Sequence, residues 1–161
     1  RRWSVTPLLE EKLYLIRARA TVAPRAPARL RMAQLKGMPL ILPTGPHGLR
    51  STLDAAFARA RFAPALVAEI DSLAMLMDAV DAGLGGTLQP WAALGRFADA
   101  PTRFHLAVIA DAQVRRVNSL CSLSDDELSP AALAARVVLA DVARALVRDG
   151  HWVGATLHHD S

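Results

Sequence analysis

The segment from Asp71 to Pro90, DSLAMLMDAVDAGLGGTLQP, constrains the fold of this chain more than any other. It predicts a capped helix, a glycine stop, a short buried strand and a second helix start. Asp71 or Ser72 can cap the first helix, Leu73, Leu76, Met77 and Val80 recur at helical spacing, and Gly83 supplies the left-handed residue on which a helix ends. Gly85-Gly86-Thr87-Leu88 suits a strand that another segment approaches closely. Pro90 suits the first position of the next helix, with Trp91 to Leu94 behind it. The glycines argue against a dinucleotide fingerprint, because such a loop follows a strand and opens a helix, and the order here is the reverse. A helix C-cap and tight helix-to-strand packing account for all three of them.

The segments upstream extend the pattern. Pro39-Leu40-Ile41-Leu42 is a buried strand bounded by prolines, residues 43–48 form a loop, and Leu49, Leu53, Ala56, Phe57 and Ala60 give an amphipathic helix. Ala65 to Ile70 is the next strand. The resulting βαβαβ order folds, by right-handed crossovers, into a parallel sheet with helices on its faces, so the class is α/β.

Outside this unit, Lys12 to Arg17 reads as a strand after a turn-rich approach at Thr6-Pro7. Thr21 to Ala28 carries Pro24 and Pro27 and reads as an irregular linker and lobe boundary. Arg29 to Lys36 suggests a short helix closed by Gly37. Arg103 to Ile109 and Val114 to Leu123 are expected strands. Ser129 and Pro130 open a long helix whose Leu133, Val137, Val138, Leu139, Val142, Leu146 and Val147 run to a stop at Gly150. That helix is apolar enough to require a covering surface. The expected division is therefore 1–28, the end of a first lobe and a hinge strand; 29–102, a second lobe; and 103–161, returning strands and a helix that packs on the first lobe.

Composition narrows the function. With 161 residues, 52% of them hydrophobic, the chain can bury a core, and no apolar run approaches the roughly 20 residues that cross a bilayer, so no membrane partner is expected. A net charge of +4 comes from scattered arginines that form no stripe for nucleic acid. The single Cys121 excludes an internal disulfide, fits a cytoplasmic setting, and has no evident base to make it a nucleophile. His105 reads as a satisfied strand histidine. His158-His159-Asp160 reads as a solvated tail, and Ser122 to Glu127 as a polar loop before the Ser129 cap. No catalytic residue, metal site or cofactor follows from these groups, and an enzyme is not expected. Because the chain begins with Arg1, it is read as a piece of a longer protein.

The loop from Thr44 to Leu49 has the strongest binding potential. It follows a parallel strand and precedes a helix, so free N–H groups and the positive end of the helix dipole lie at the strand's C-terminal end, where a small carboxylate is well placed.

Taken in order, LLEEKLYLIRA, LKGMPLILPTGPHGLRSTLD, EIDSLAMLMDAVDAGLGGTLQPWAAL and the stretch from Arg115 to Trp152 resemble the effector-binding domain of LysR-type transcriptional regulators. The resemblance implies a periplasmic-binding-protein-like, two-lobed α/β fold with the second lobe complete and the first partial. It implies a small-molecule effector bound in the cleft between lobes, with Thr44, Gly45, Pro46, His47, Gly48 and Leu49 as the inducer loop: Thr44 as hydroxyl donor, Pro46 and Leu49 as apolar walls, and His47 as a pH-sensitive contact, or else a turn residue or solvated side chain. It also implies DNA contact only through an N-terminal helix-turn-helix absent from this chain, and a homo-oligomer in the full-length protein. Two positions depart from the family pattern: Gln89 stands where an apolar residue usually precedes the proline, and Gly86 where valine is usual. A solute-binding transport component shares the architecture and is the alternative.

Overall fold

A computed structural model describes residues 2–158 of the chain. His159 and Asp160, part of the tail weighed above, lie outside the described residues. The described chain divides into two compact units, residues 12–116 and a second unit made of 1–11 with 117–161. Strand β1 (Trp3–Lys12) leads into β2 (Tyr14–Ala18) with a break at Leu13. The approach expected to be a turn is thus strand. Pro7 lies outside the stretch Leu9, Glu10 and Glu11 that is in register with β9 (Ala155–Leu157), so its missing N–H takes nothing from that pairing.

In the unit of residues 12–116, β2 lies between β6 (Thr87–Gln89) and β7 (Phe104–Ile109), antiparallel to both, and β7 pairs in parallel with the short β3 (Arg29–Leu30). Strand β4 (Pro39–Leu42) pairs in parallel with β5 (Ala65–Glu69), and a parallel bridge from Leu40 to Gly86 joins β4 to the approach of β6. The parallel βαβαβ expectation therefore holds for β4, β5 and the Gly86 contact, while β6 beyond it adds an antiparallel partner. The proline segment expected to divide lobes is irregular, yet it lies inside this unit, because β2 and β7 on either side of it pair directly.

Each face of the sheet carries one helix. Helix α1 (Gly48–Ala60) buries Leu49, Leu53, Ala56 and Phe57 against Leu13, Leu15, Leu40, Leu42, Leu88, Ala107 and Ile109. Helix α2 (Leu73–Asp81) buries Leu76, Met77 and Val80 with Ile16, Ile41 and Phe104 on the opposite face. The strand alternation of Leu15, Ile16 and then Leu40, Ile41, Leu42 thus serves two cores. Ser72 caps α2, and Gly83 follows it at φ +78°. The residues before Gly37 form one 3₁₀ turn, Met32–Leu35, in place of a helix. Pro90 caps a second 3₁₀ turn, Trp91–Leu94, and the short helix α3 (Ala100–Arg103) precedes β7.

The other unit contains a three-stranded sheet in the order β8-β1-β9, with β8 spanning Arg115–Leu123, and the long helix α4 (Pro130–Arg148). Ser129 Oγ accepts from Ala132 N–H at 3.2 Å, and Gly150 ends the helix at φ +74°. Its interior is tied by Glu11, which is buried and accepts from the Trp152 indole N–H at 2.8 Å and the Asn118 amide at 2.7 Å. Helix α4 has no buried residue, and Val138, Leu139 and Val142 are more than half exposed. The covering surface that its sequence requires is not supplied by the described residues. No helix among them is long and apolar enough to cross a membrane.

Candidate functional site

The C-terminal ends of β4 and β5 each lead into the N-terminus of a helix, and the loops between them touch. After the buried Pro43, the Thr44 backbone N–H donates to Asp71 Oδ1 at 2.8 Å. The Thr44 hydroxyl lies 2.9 and 2.8 Å from Asp71 Oδ1 and Oδ2, its one proton serving either oxygen. Asp71 immediately precedes the Ser72 cap, whose Oγ accepts from Met75 N–H at 3.4 Å. These hydrogen bonds from the Thr44 backbone and side chain hold the Asp71 carboxyl below the usual aspartate range.

The remaining loop residues have separate tasks. His47 N–H donates to the Thr44 carbonyl at 3.1 Å and closes a turn around the exposed Gly45 and Pro46. His47 is also the N-cap of α1, its Nδ1 accepting from Leu49 N–H at 3.2 Å and its carbonyl from Ser51 N–H at 3.3 Å. Among the described residues, the Gly48 and Arg50 N–H groups at this helix start donate to no acceptor. Leu49 is buried in the core beneath the loop, so it is the floor on which the exposed residues rest.

Arg50 is a structural centre that the sequence reading passed over. Its side chain is only 12% exposed; Nε donates to Asp54 at 2.8 Å, and Nη1 donates to Glu69 at 2.6 Å and to the Pro43 carbonyl at 2.8 Å. One guanidinium thereby fixes the end of β4, the end of β5 and the first turn of α1. The hydrogen bond to Asp54 raises its pKa, with that to Glu69 adding to the effect. The Arg50/Asp54 spacing of four on a helix was a legible signal; the tie to Glu69 needed the β4–β5 pairing.

Among the other described histidines, His158 Nδ1 lies 3.9 Å from Glu10 Oε1. His105 is buried, with Nε2 3.2 Å from the Ala26 carbonyl, and Cys121 is exposed. Among the described residues, no group of three His, Cys, Asp or Glu side chains is placed to hold a metal ion.

An α/β unit with two helix N-termini and a hydroxyl donor at the ends of parallel strands is a ligand-binding class of architecture. A family model, the LysR substrate binding domain, matches residues 1–144, and the chain belongs to that family. A search of curated protein sequences found no match. Among solved structures, the chain is similar to the effector binding domain of QuiR in complex with shikimate (TM-score 0.69, 18% identity, 86% of this chain and 63% of that one). It is also similar to the Synechocystis PCC6803 CcmR regulatory domain in complex with 2-PG (TM-score 0.71, 18% identity, 91% and 68%). A third similar structure is full-length CbnR complexed with its target DNA (TM-score 0.71, 19% identity, 89% and 49%). The chain thus spans under two thirds of the QuiR domain and about half of full-length CbnR. The fold is the periplasmic-binding-protein-like α/β fold of this family.

Proposed function

We propose that this chain is the effector-binding part of a LysR-type, DNA-binding transcriptional regulator, and that it takes a small anionic organic ligand at Thr44, Gly45, Pro46, His47, Gly48 and Leu49. The observation that carries this reading is the Thr44–Asp71 pair. A backbone N–H and a hydroxyl already hold one carboxylate at the ends of two parallel strands, and the neighbouring Gly48 and Arg50 N–H groups donate to no acceptor among the described residues. Those donors, with the dipole of α1, match a second carboxylate. Family membership, and similar domains whose structures contain shikimate or 2-PG, support a ligand of that size and charge.

Binding acts here by linkage: a ligand that prefers one arrangement of the domain shifts the population toward it, and the regulator transmits that shift to DNA through a segment outside this chain. No bond is made or broken, so the protein is not an enzyme. Its place is the cytoplasm, and the full-length regulator is a homo-oligomer.

The test is a thermal-shift screen of small hydroxy acids and dicarboxylates, followed by calorimetric titration of any hit against Thr44→Val. A hit whose affinity falls at least tenfold in Thr44→Val supports the site, since that substitution releases the Asp71 carboxylate, whose unmatched charge then opposes an anion beside it. Binding unaffected by that substitution places the ligand elsewhere.

A further inference from the structure

A cavity of about 150 Å³ lies at the opposite end of β4 from the Thr44 loop, lined by Leu15, Arg17, Thr21, Pro39, Gly85 and Gly86 among others. The four residues of β4 put roughly 13 Å between the two places. Gly85 and Gly86 form part of its wall, at positions where the neighbouring chain leaves no space for a side chain. A Cβ at Gly86 would come within 2.9 Å of Arg17 Cγ and 3.3 Å of the Ile16 carbonyl, and one at Gly85 within 3.1 Å of the Pro39 carbonyl. The Arg17 stem therefore lies across Gly86, where any side chain would displace it.

Arg17 is not among the arginines that form ion pairs in the described residues. Arg50, Arg96, Arg103, Arg136 and Arg144 each pair with a carboxylate. The Arg17 guanidinium has no carboxylate partner among the described residues, and its Nε is buried without a hydrogen-bond acceptor. Burial pushes its pKa down, with no acidic group opposing that shift. A partly desolvated cation with an unmet donor carries a cost that a counter-ion relieves. The Thr21 hydroxyl is occupied in donating to the Ala18 carbonyl at 2.8 Å, which leaves its methyl as wall and Arg17 as the charged group of the cavity.

We propose that this cavity is a second ligand site, specific for a small oxyanion, carboxylate or phosphate, which the Arg17 guanidinium holds. The volume sets the class: it falls below the roughly 300–1,000 Å³ of pockets for larger organic ligands. The guanidinium fork matches both carboxylate and phosphate oxygens. The site is separate from the Thr44 loop, so each can fail without the other.

The experiment follows the Arg Nε–H and backbone amide signals by ¹H–¹⁵N NMR while sodium phosphate and, separately, sodium acetate are added at ionic strength held constant with sodium chloride. The expected result is a saturable shift of the Arg17 Nε–H and Gly86 N–H signals with at least one of the two anions. Arg17→Gln should weaken that binding at least tenfold, and Thr44→Val should leave it unchanged. Gly86→Ala, which displaces the Arg17 stem, should weaken it too and serves if Arg17→Gln does not fold. No saturable shift at Arg17 with either anion overturns the proposal. So does equal affinity in Arg17→Gln, or loss of binding in Thr44→Val.

Discussion

Thr44 commits both of its donors to a single side chain, the Asp71 carboxylate 27 positions away. The link depends on the carboxylate's charge, so it has a defined pH range. The folded-state pKa of Asp71 is lowered, so the stabilisation is complete above the ordinary aspartate value and is lost as pH falls through the lower, folded one. A carboxyl ¹³C titration should place the Asp71 midpoint below that of a model aspartate, and Thr44→Val should move it back up. A midpoint at the ordinary value in the parent protein would show that the link does not hold in solution.

Arg50 should tolerate neither shortening nor loss of its fork. Arg50→Met removes donors from Asp54, Glu69 and the Pro43 carbonyl together and is expected to cost about 1–3 kcal/mol in a denaturant melt. Arg50→Lys should recover only part of that, because one ammonium cannot reproduce the planar geometry. Equal stability of Arg50→Lys and the parent would mean that charge alone matters.

Two glycines make a contrasting pair. Gly85→Ala would place a Cβ 3.1 Å from the Pro39 carbonyl and 3.2 Å from Ile41 Cγ1, and should destabilise by about 1–3 kcal/mol. Gly45→Ala meets nothing within 4 Å at a residue without positive φ, and should be neutral or stabilise by up to about 1 kcal/mol. Reversal of that order in chemical denaturation would contradict the backbone described here.

Helix α4 exposes Val138, Leu139, Val142 and Leu146 along one side. Contiguous apolar surface of this kind drives association. Sedimentation velocity of this chain should show concentration-dependent assembly, and Val138→Lys with Val142→Glu should reduce it. A sharp monomer at all concentrations, together with a cooperative melt, would count against the prediction.

The central unit was legible wherever short-range chemistry sets structure. Ser72 and Ser129 as caps, Gly83 and Gly150 as stops, and β4 from Pro39 to Leu42 stand where the residue types put them. Long-range pairing was not legible. Nothing in Thr6-Pro7 tells that the strand runs through it, since proline is excluded only where its N–H is required. Asp71 was read as a cap candidate, whereas its carboxylate turns to Thr44; the competing acceptor, Ser72 Oγ, sits one residue on and takes the helix. His47 was read as a contact or a turn residue and is a helix cap, a role its residue type seldom signals. The roles of Arg50 and Arg17 depend on neighbours that only the paired strands bring near.

The chain leaves one compact unit after Glu11 and re-enters it at Val117, so residues 12–116 are an insertion within it. This sets an order of folding. The Trp152–Glu11 hydrogen bond joins groups 141 positions apart, and closing so long a loop in an unfolded chain has a large entropic cost. Once residues 12–116 have formed, the two chain ends that leave them run directly into β1 and β8, which are neighbours in the sheet of the outer unit, and the remaining closure is short. The central unit should therefore gain protection in pulsed hydrogen exchange before the Leu9–Leu157 strand pair does, with the long helix waiting on a unit to which it does not belong.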